Sequence, residues 1–217
     1  MQQLALNIQP LAPIRLEDIV PGSNAEVLAM LCAISEGKQQ GPVYLWGPPG
    51  CGKSLMLAAL SESLPGASLV MGSTPSWPAH AGALLIDDVD RLDEENQIEA
   101  FNRYNRYKAA AMVWAASGSQ APSGLSELRE DLRSRLAWGL IYQLQPLNDV
   151  EKRQALVRRA DQLGFELEGA IADYLLTRYS RELRQLLAVV DALDRFSLEQ
   201  QRRVSLPLLK TLLPRQG

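Results

Sequence analysis

Val43-Tyr44-Leu45-Trp46, followed by Gly47-Pro48-Pro49-Gly50-Cys51-Gly52-Lys53-Ser54, is the stretch on which the reading of this chain turns. A short apolar run, the length of a buried strand, leads into a glycine-rich octapeptide, and a helical pattern follows from Lys53 to Leu64. The octapeptide matches G-x-x-x-x-G-K-[ST] at every fixed position, in the strand-to-helix setting its mechanism needs. Its glycines let the backbone fold around a phosphate with no Cβ in the way. The N–H groups then point inward as an anion nest at a helix N-terminus. Lys53 has the reach for β- and γ-phosphates, and the Ser54 hydroxyl is a ligand for Mg²⁺. Pro48, Pro49 and Cys51 take free positions of the loop, Cys51 as a small filler, and Leu55 follows it in the helix.

Downstream, Ala83-Leu84-Leu85-Ile86-Asp87-Asp88 reads as a buried strand ending in adjacent carboxylates. Asp87 is placed toward a metal held by Ser54, and Asp88 toward a water attacking the γ-phosphate. Further strand candidates are residues 68–71, 112–116 and 140–144, and residues 94–107 read as a helix with Ile98, Phe101 and Tyr104 on one side. From Ile14 to about Pro146, apolar runs alternate with helical patterns, which predicts a parallel sheet of five strands with crossover helices. Continuous apolar strands suit a sheet covered on both faces. That is a three-layer αβα arrangement.

After Pro146 the pattern turns all-helical. Asn148 and Glu151 have the spacing of a capping box, Leu156, Ala160 and Leu163 recur at helical intervals, and Gly164 is placed to end that helix. Ile171, Leu175 and Tyr179 continue the pattern, and Leu183, Leu186, Leu187 and Val190 form the clearest apolar stripe. A last short helix is predicted from Ser205-Leu206-Pro207 to Pro214. The expected organisation is a tail of residues 1–13, an α/β domain of residues 14–146 and a small helical domain of residues 147–217.

Composition narrows the function classes. With 22 basic and 25 acidic residues, the net charge of −3 speaks against autonomous binding of duplex DNA, which usually shows a basic stripe. One histidine and two cysteines, Cys32 and Cys51, supply neither a His-rich metal site nor a disulfide framework. No apolar run approaches the ~20 residues of a membrane span, and the N-terminus lacks a secretory pattern. A cytoplasmic protein is expected.

The P-loop and the paired acids together look like the AAA+ ATPases, and within them the chain resembles the DnaA-like group. Arg15-Leu16-Glu17-Asp18-Ile19-Val20-Pro21-Gly22-Ser23-Asn24 is similar to the segment ahead of the P-loop in that group. By that resemblance it wraps the adenine of bound ADP or ATP, with Ile19 and Val20 as base contacts, a role compatible with core packing. Many ATPases of this class carry Glu where this chain has Asp88, and the shorter Asp implies weak hydrolysis at most. After the fourth strand, Ser119 matches the family's first sensor position, with Ser117 as the alternative. Ser134-Arg135-Leu136 carries the match to the arginine finger, which stabilises transition-state charge on a nucleotide held by a neighbouring subunit. Arg133 lies close enough to share that assignment. Tyr179-Ser180-Arg181-Glu182-Leu183 is similar to the second-sensor helix, so Arg181, or Arg184 one turn on, would contact phosphate. Ser180 is read as its N-cap.

Three features set the chain apart from initiators of this group and resemble its regulatory members. By that comparison it is expected to end near the edge of the helical domain, without the DNA-reading domain of initiators. Gly72-Ser73-Thr74-Pro75-Ser76-Trp77-Pro78-Ala79-His80-Ala81-Gly82 leaves little room for the helices that initiators use on single-stranded DNA. In the tail, Gln3, Leu4, Leu6 and Ile8 resemble the peptide by which such regulators bind the sliding clamp of the replicative polymerase, alternating apolar anchors entering a preformed groove. The implied partners are the clamp and DnaA, whose hydrolysis would be stimulated, with a homo-oligomer left open. A helicase loader or other adaptor and an independent P-loop ATPase are the competing classes.

Overall fold

The computed structural model describes residues 14–180 and 182–213. They fall into two compact units that part between Pro146 and Leu147.

The first unit is built on a sheet of five strands: β1 Pro42–Trp46, β2 Ala67–Met71, β3 Ala83–Asp87, β4 Val113–Gly118 and β5 Leu140–Gln143. All pairings are parallel and the order is β2-β3-β4-β1-β5. The helices are α1 Ala25–Ser35, α2 Lys53–Ser63, α3 Glu94–Ala109 and α4 Glu130–Leu136. Side chains of a strand alternate between faces, and here the alternation sorts the core. Val43 and Leu45 of β1, Ala83 and Leu85 of β3 and Ala115 of β4 pack with Val27, Leu31 and Ile34 of α1 and Met56, Leu57 and Leu60 of α2. Tyr44, Leu84, Ile86, Trp114 and Ala116 face the other way, onto Ala100, Tyr104 and Tyr107 of α3 and Leu132 and Leu136 of α4. Tyr104 meets Trp114 edge-on, with ring centroids 5.1 Å apart. The sheet is therefore covered on both faces, the three-layer αβα architecture.

Each of the five apolar runs forms a strand. β4 is longer than its apolar core, because Ser117 and Gly118 continue the pairing opposite Leu45 and Trp46 of β1. The sequence reading marks neither α1 nor α4. Helix α1 buries Val27, Leu31 and Ile34 at helical spacing, but its apolar character runs nearly all round, so the pattern is blurred. Helix α4 has seven residues, too few for a period to stand out.

The short link between β2 and β3 is pinned to α3: Trp77 Nε1 donates to Asn96 Oδ1 at 2.7 Å, Arg103 Nη1 to the Pro78 carbonyl at 2.7 Å and Tyr107 Oη to the Ala81 carbonyl at 2.9 Å.

The second unit holds α5 Asp149–Leu163, α6 Gly169–Arg178, α7 Leu183–Glu199 and α8 Leu206–Leu212. Asn148 and Glu151 form a reciprocal capping box at 3.0 and 2.8 Å, and Gly164 closes α5 at φ 85°, in the left-handed region. Leu183, Leu186, Leu187 and Val190 are all buried along α7. Arg159 of α5 makes a bidentate ion pair with Asp191 of α7, Nε to Oδ1 at 2.6 Å and Nη2 to Oδ2 at 2.8 Å, with both residues buried. Ser205 caps α8 through the Leu208 N–H, with Pro207 in the first turn. The expected cap of α7 is corrected: its N-cap is Glu182, and the Ser180 hydroxyl takes the Glu182 N–H at 3.1 Å in a local turn ahead of the helix. Among the described residues no helix is long and apolar enough to cross a membrane.

Candidate functional site

The carboxyl ends of β1, β3 and β4 carry the polar residues singled out above, as expected of an open parallel sheet. Gly47, at the end of β1, has φ 154°, and a Cβ there would lie 2.6 Å from the Leu144 carbonyl oxygen. No side chain fits. Gly50 and Gly52 sit at φ 77° and 106°, left-handed conformations that favour glycine. The chain then enters α2 at Lys53, with Gly52 as N-cap, so the loop backbone opens onto a helix N-terminus. The Lys53 ammonium donates to the carbonyls of Gly47 at 2.9 Å and Pro48 at 3.3 Å, folded back onto its own loop and buried. Ser54 and Leu55 are half-buried, and Pro48 and Pro49 are exposed. Cys51 is buried with its sulfur 4.0 Å from the Lys53 nitrogen; burial pushes the thiol up despite the lysine, as fits a filler.

At the end of β3, Asp87 is 2% exposed and Oδ1 accepts the Ser117 hydroxyl at 2.5 Å. The same Ser117 oxygen accepts the Asp88 N–H at 2.9 Å. Asp88 takes a left-handed backbone, φ 55°, and its carboxylate lies 3.5 Å from Arg91 Nε. Burial first, and then the neighbouring Asp87 charge, raise the Asp88 carboxyl above the ordinary range. The two serines offered for the first sensor position have different surroundings. Ser119 is exposed and gives its hydroxyl to Asp90 Oδ2 at 2.5 Å, whereas Ser117, fully buried, is the serine on the acid pair. The reason is the length of β4, which carries Ser117 to the sheet edge level with Leu45.

Ahead of α1, two 3-10 turns, Leu16–Asp18 and Gly22–Asn24, flank the Ile19-Val20 pair. Leu16 and Ile19 are buried in the core with Met56, Leu57 and Leu60 of α2, and Val20 is half-buried. Asn24 is 2% exposed and makes no capping bond to α1. Its amide instead pairs with a single peptide unit far along the chain: Nδ2 donates to the Gln145 carbonyl and Oδ1 accepts the Gln145 N–H, each at 2.8 Å. Sequence reasoning missed this residue. An Asn directly before a helix is indistinguishable from an ordinary N-cap until the distant partner is in place.

Arg135 lies in the last turn of α4, half-buried, its guanidinium carbon 5.4 Å from the Phe101 ring centroid and its Nε without a hydrogen-bond partner among the described residues. Among the described residues no carboxylate forms an ion pair with Arg135 or Arg133, whereas Arg129 at the start of the same helix pairs with Asp131 and Glu94. Beside them Trp138 is 61% exposed, with the Lys108 ammonium 3.7 Å from its ring centroid. In the second unit Arg184 stands exposed in the first turn of α7. Arg181 and the tail residues Gln3, Leu4, Leu6 and Ile8 lie outside the described residues.

This geometry is that of a P-loop α/β domain followed by a helical lid, and it recurs among AAA+ proteins of known structure. Domain III of the replication initiation protein DnaA from Thermotoga maritima superposes with a TM-score of 0.74 at 20% identity, over 94% of this chain and 98% of that one. DnaA from Aquifex aeolicus, solved with AMPPCP, gives 0.68 at 19% identity over 88% and 68% of the two chains. The Thermotoga maritima Holliday junction branch migration motor RuvB gives 0.59 at 20% identity over 86% and 65%. Residues 149–213, the span of α5 to α8, match the family described as Hda, lid domain. The chain is Hda-like in its lid and DnaA-like in its AAA+ fold.

Proposed function

We propose that this protein is a nucleotide-bound regulator of replication initiation that stimulates ATP hydrolysis by DnaA and so inactivates it, working while tethered to the polymerase sliding clamp. The observation that carries this reading is the Hda lid match on residues 149–213 behind a DnaA-like fold. ADP or ATP occupies the Gly47–Ser54 loop, with Lys53 turning from the loop carbonyls to the phosphates and the base beside Ile19 and Val20. The donors near the loop suit Mg²⁺, a hard cation that keeps several waters and takes one or two protein oxygens beside substrate phosphates. The Ser54 hydroxyl and the Asp87 carboxylate would hold it, supplying charge neutralisation at the phosphates. Asp88 faces the attacking water but is a short acid, so intrinsic turnover is weak. Arg181 or Arg184 reports phosphate to the lid.

Arg135 is the group offered to the DnaA-bound nucleotide. Its guanidinium rests on an aromatic ring and has no carboxylate partner among the described residues, so it can meet a phosphate without first breaking one of their ion pairs. Gln3, Leu4, Leu6 and Ile8 dock on the clamp. The test is hydrolysis of DnaA-bound ATP in the presence of clamp loaded on DNA. Wild type stimulates; Arg135→Ala binds nucleotide normally yet loses at least ~100-fold of the stimulation, since an arginine finger contributes about 10³–10⁵ in rate. Full stimulation by the variant would refute the assignment.

A further inference from the structure

The segment proposed to hold the base, residues 16–24, is attached to its unit in an unusual way. Among the described residues its backbone hydrogen bonds are all local: Asp18 to Arg15, Ile19 to Leu16 and Asn24 to Pro21. No strand pairing anchors it. Leu16 and Ile19 bury it against α1 and α2, and apolar packing is non-directional, so it fixes no hydrogen-bond register by itself. A directional, long-range attachment is the Asn24 amide, which both donates to and accepts from Gln145. Asn24 itself is buried although Gln145 is exposed, and a buried amide left without its partner is costly.

Gln145 is in turn registered to the phosphate loop. Its neighbour Leu144 donates its N–H to the Trp46 carbonyl at 2.7 Å, and the Leu144 carbonyl oxygen fills the space a Gly47 side chain would need. A continuous line thus runs from the first glycine of the loop through Leu144 and Gln145 to Asn24. It sets the distance between the phosphate nest and the Ile19-Val20 segment.

We infer that Asn24 is a positioning residue for the nucleoside end of the site, holding Ile19 and Val20 in register with the phosphate loop. The inference rests on the nucleotide reading above and goes beyond it, because it divides the site into a phosphate half that does not need Asn24 and a nucleoside half that does.

The experiment uses the full chain and two probes, ADP for the whole site and inorganic tripolyphosphate for the phosphate nest alone. Isothermal titration is run on wild type, Asn24→Ala and Asn24→Asp. The Asp variant is nearly isosteric and keeps the bond from the Gln145 N–H while losing the one to its carbonyl, so it carries the test if the Ala variant fails to fold. The expected result is ADP affinity weakened roughly tenfold with tripolyphosphate affinity unchanged within about twofold. A purely structural role would weaken both probes together, and that outcome overturns the inference, as does unchanged ADP affinity. Wild type that binds neither probe would sink the nucleotide reading, and this inference with it. Wild type that binds both, with variants that match it, would sink the inference alone.

Discussion

Replacing Ser117 with Ala removes one oxygen that has two duties. The hydroxyl donates to the Asp87 carboxylate at 2.5 Å and accepts the Asp88 N–H at 2.9 Å, with Ser117 fully buried and Asp87 2% exposed. A hydrogen bond to a charged group contributes about 1.5–3 kcal/mol, and the abandoned carboxylate oxygen cannot turn to water. A loss of about 2 kcal/mol corresponds to roughly 6 °C in melting temperature for a chain of this size. The second consequence is functional. A carboxylate that ligates a metal depends on the group that orients it, and losing such a partner costs about 10–100-fold in metal affinity. Ser117→Ala is therefore expected to melt about 6 °C below wild type without ligand, and to need at least ~10-fold more Mg²⁺ for half-maximal nucleotide binding. Ser119→Ala is the control, since its hydroxyl sits on Asp90 at the surface, and its Mg²⁺ titration should overlay that of wild type. The reasoning fails if Ser117→Ala melts with wild type, or if the Mg²⁺ requirement moves in the Ser119 variant instead.

Two other perturbations test the structure independently. Arg159→Leu leaves Asp191 buried without the guanidinium it pairs with and should destabilise the helical unit by about 3–5 kcal/mol in urea unfolding. The double variant Arg159→Leu, Asp191→Leu should recover much of that loss, and a double variant as unstable as the single one would count against the ion pair as the cause. The raised Asp88 carboxyl makes a signed prediction. Its folded pKa lies above the unfolded value, so the native state binds more protons between the two, and stability falls as pH rises through that window. Asp88→Asn should remove this falling component, so the urea midpoint of the variant should gain on that of wild type as pH rises through the window; two curves that stay parallel there would contradict it.

Much of the architecture was legible in the chain itself, for local reasons. A fully buried parallel strand is a short apolar run, and all five such runs became strands. The phosphate loop was legible because its requirements are encoded residue by residue, glycine for left-handed backbone and lysine for charge. The capping box at Asn148 and Glu151 and the terminating Gly164 depend on neighbours three or four residues apart, so spacing alone revealed them. The alternation along β1, Val43 and Leu45 to one side and Tyr44 to the other, follows from the strand period once the strand is placed.

What the tertiary structure decided concerns groups whose partners are distant. Whether Ser117 or Ser119 meets the acids depends on how far β4 pairs along β1, which no local pattern of the serines expresses. Among the described residues Arg135 has no carboxylate and rests on Phe101 of α3, while Arg129 reaches Glu94 of α3 besides its near neighbour Asp131; both contacts with α3 follow from the packing of α3 against α4. Asn24 meets Gln145 across 121 residues. A hydrogen bond between elements so far apart leaves no mark in either stretch, because each reads as a complete local motif, a helix start and a strand exit. The chain's composition and spacing determined the layers and the phosphate loop; the pairing of the strands determined which polar atoms face one another at the sheet's edge.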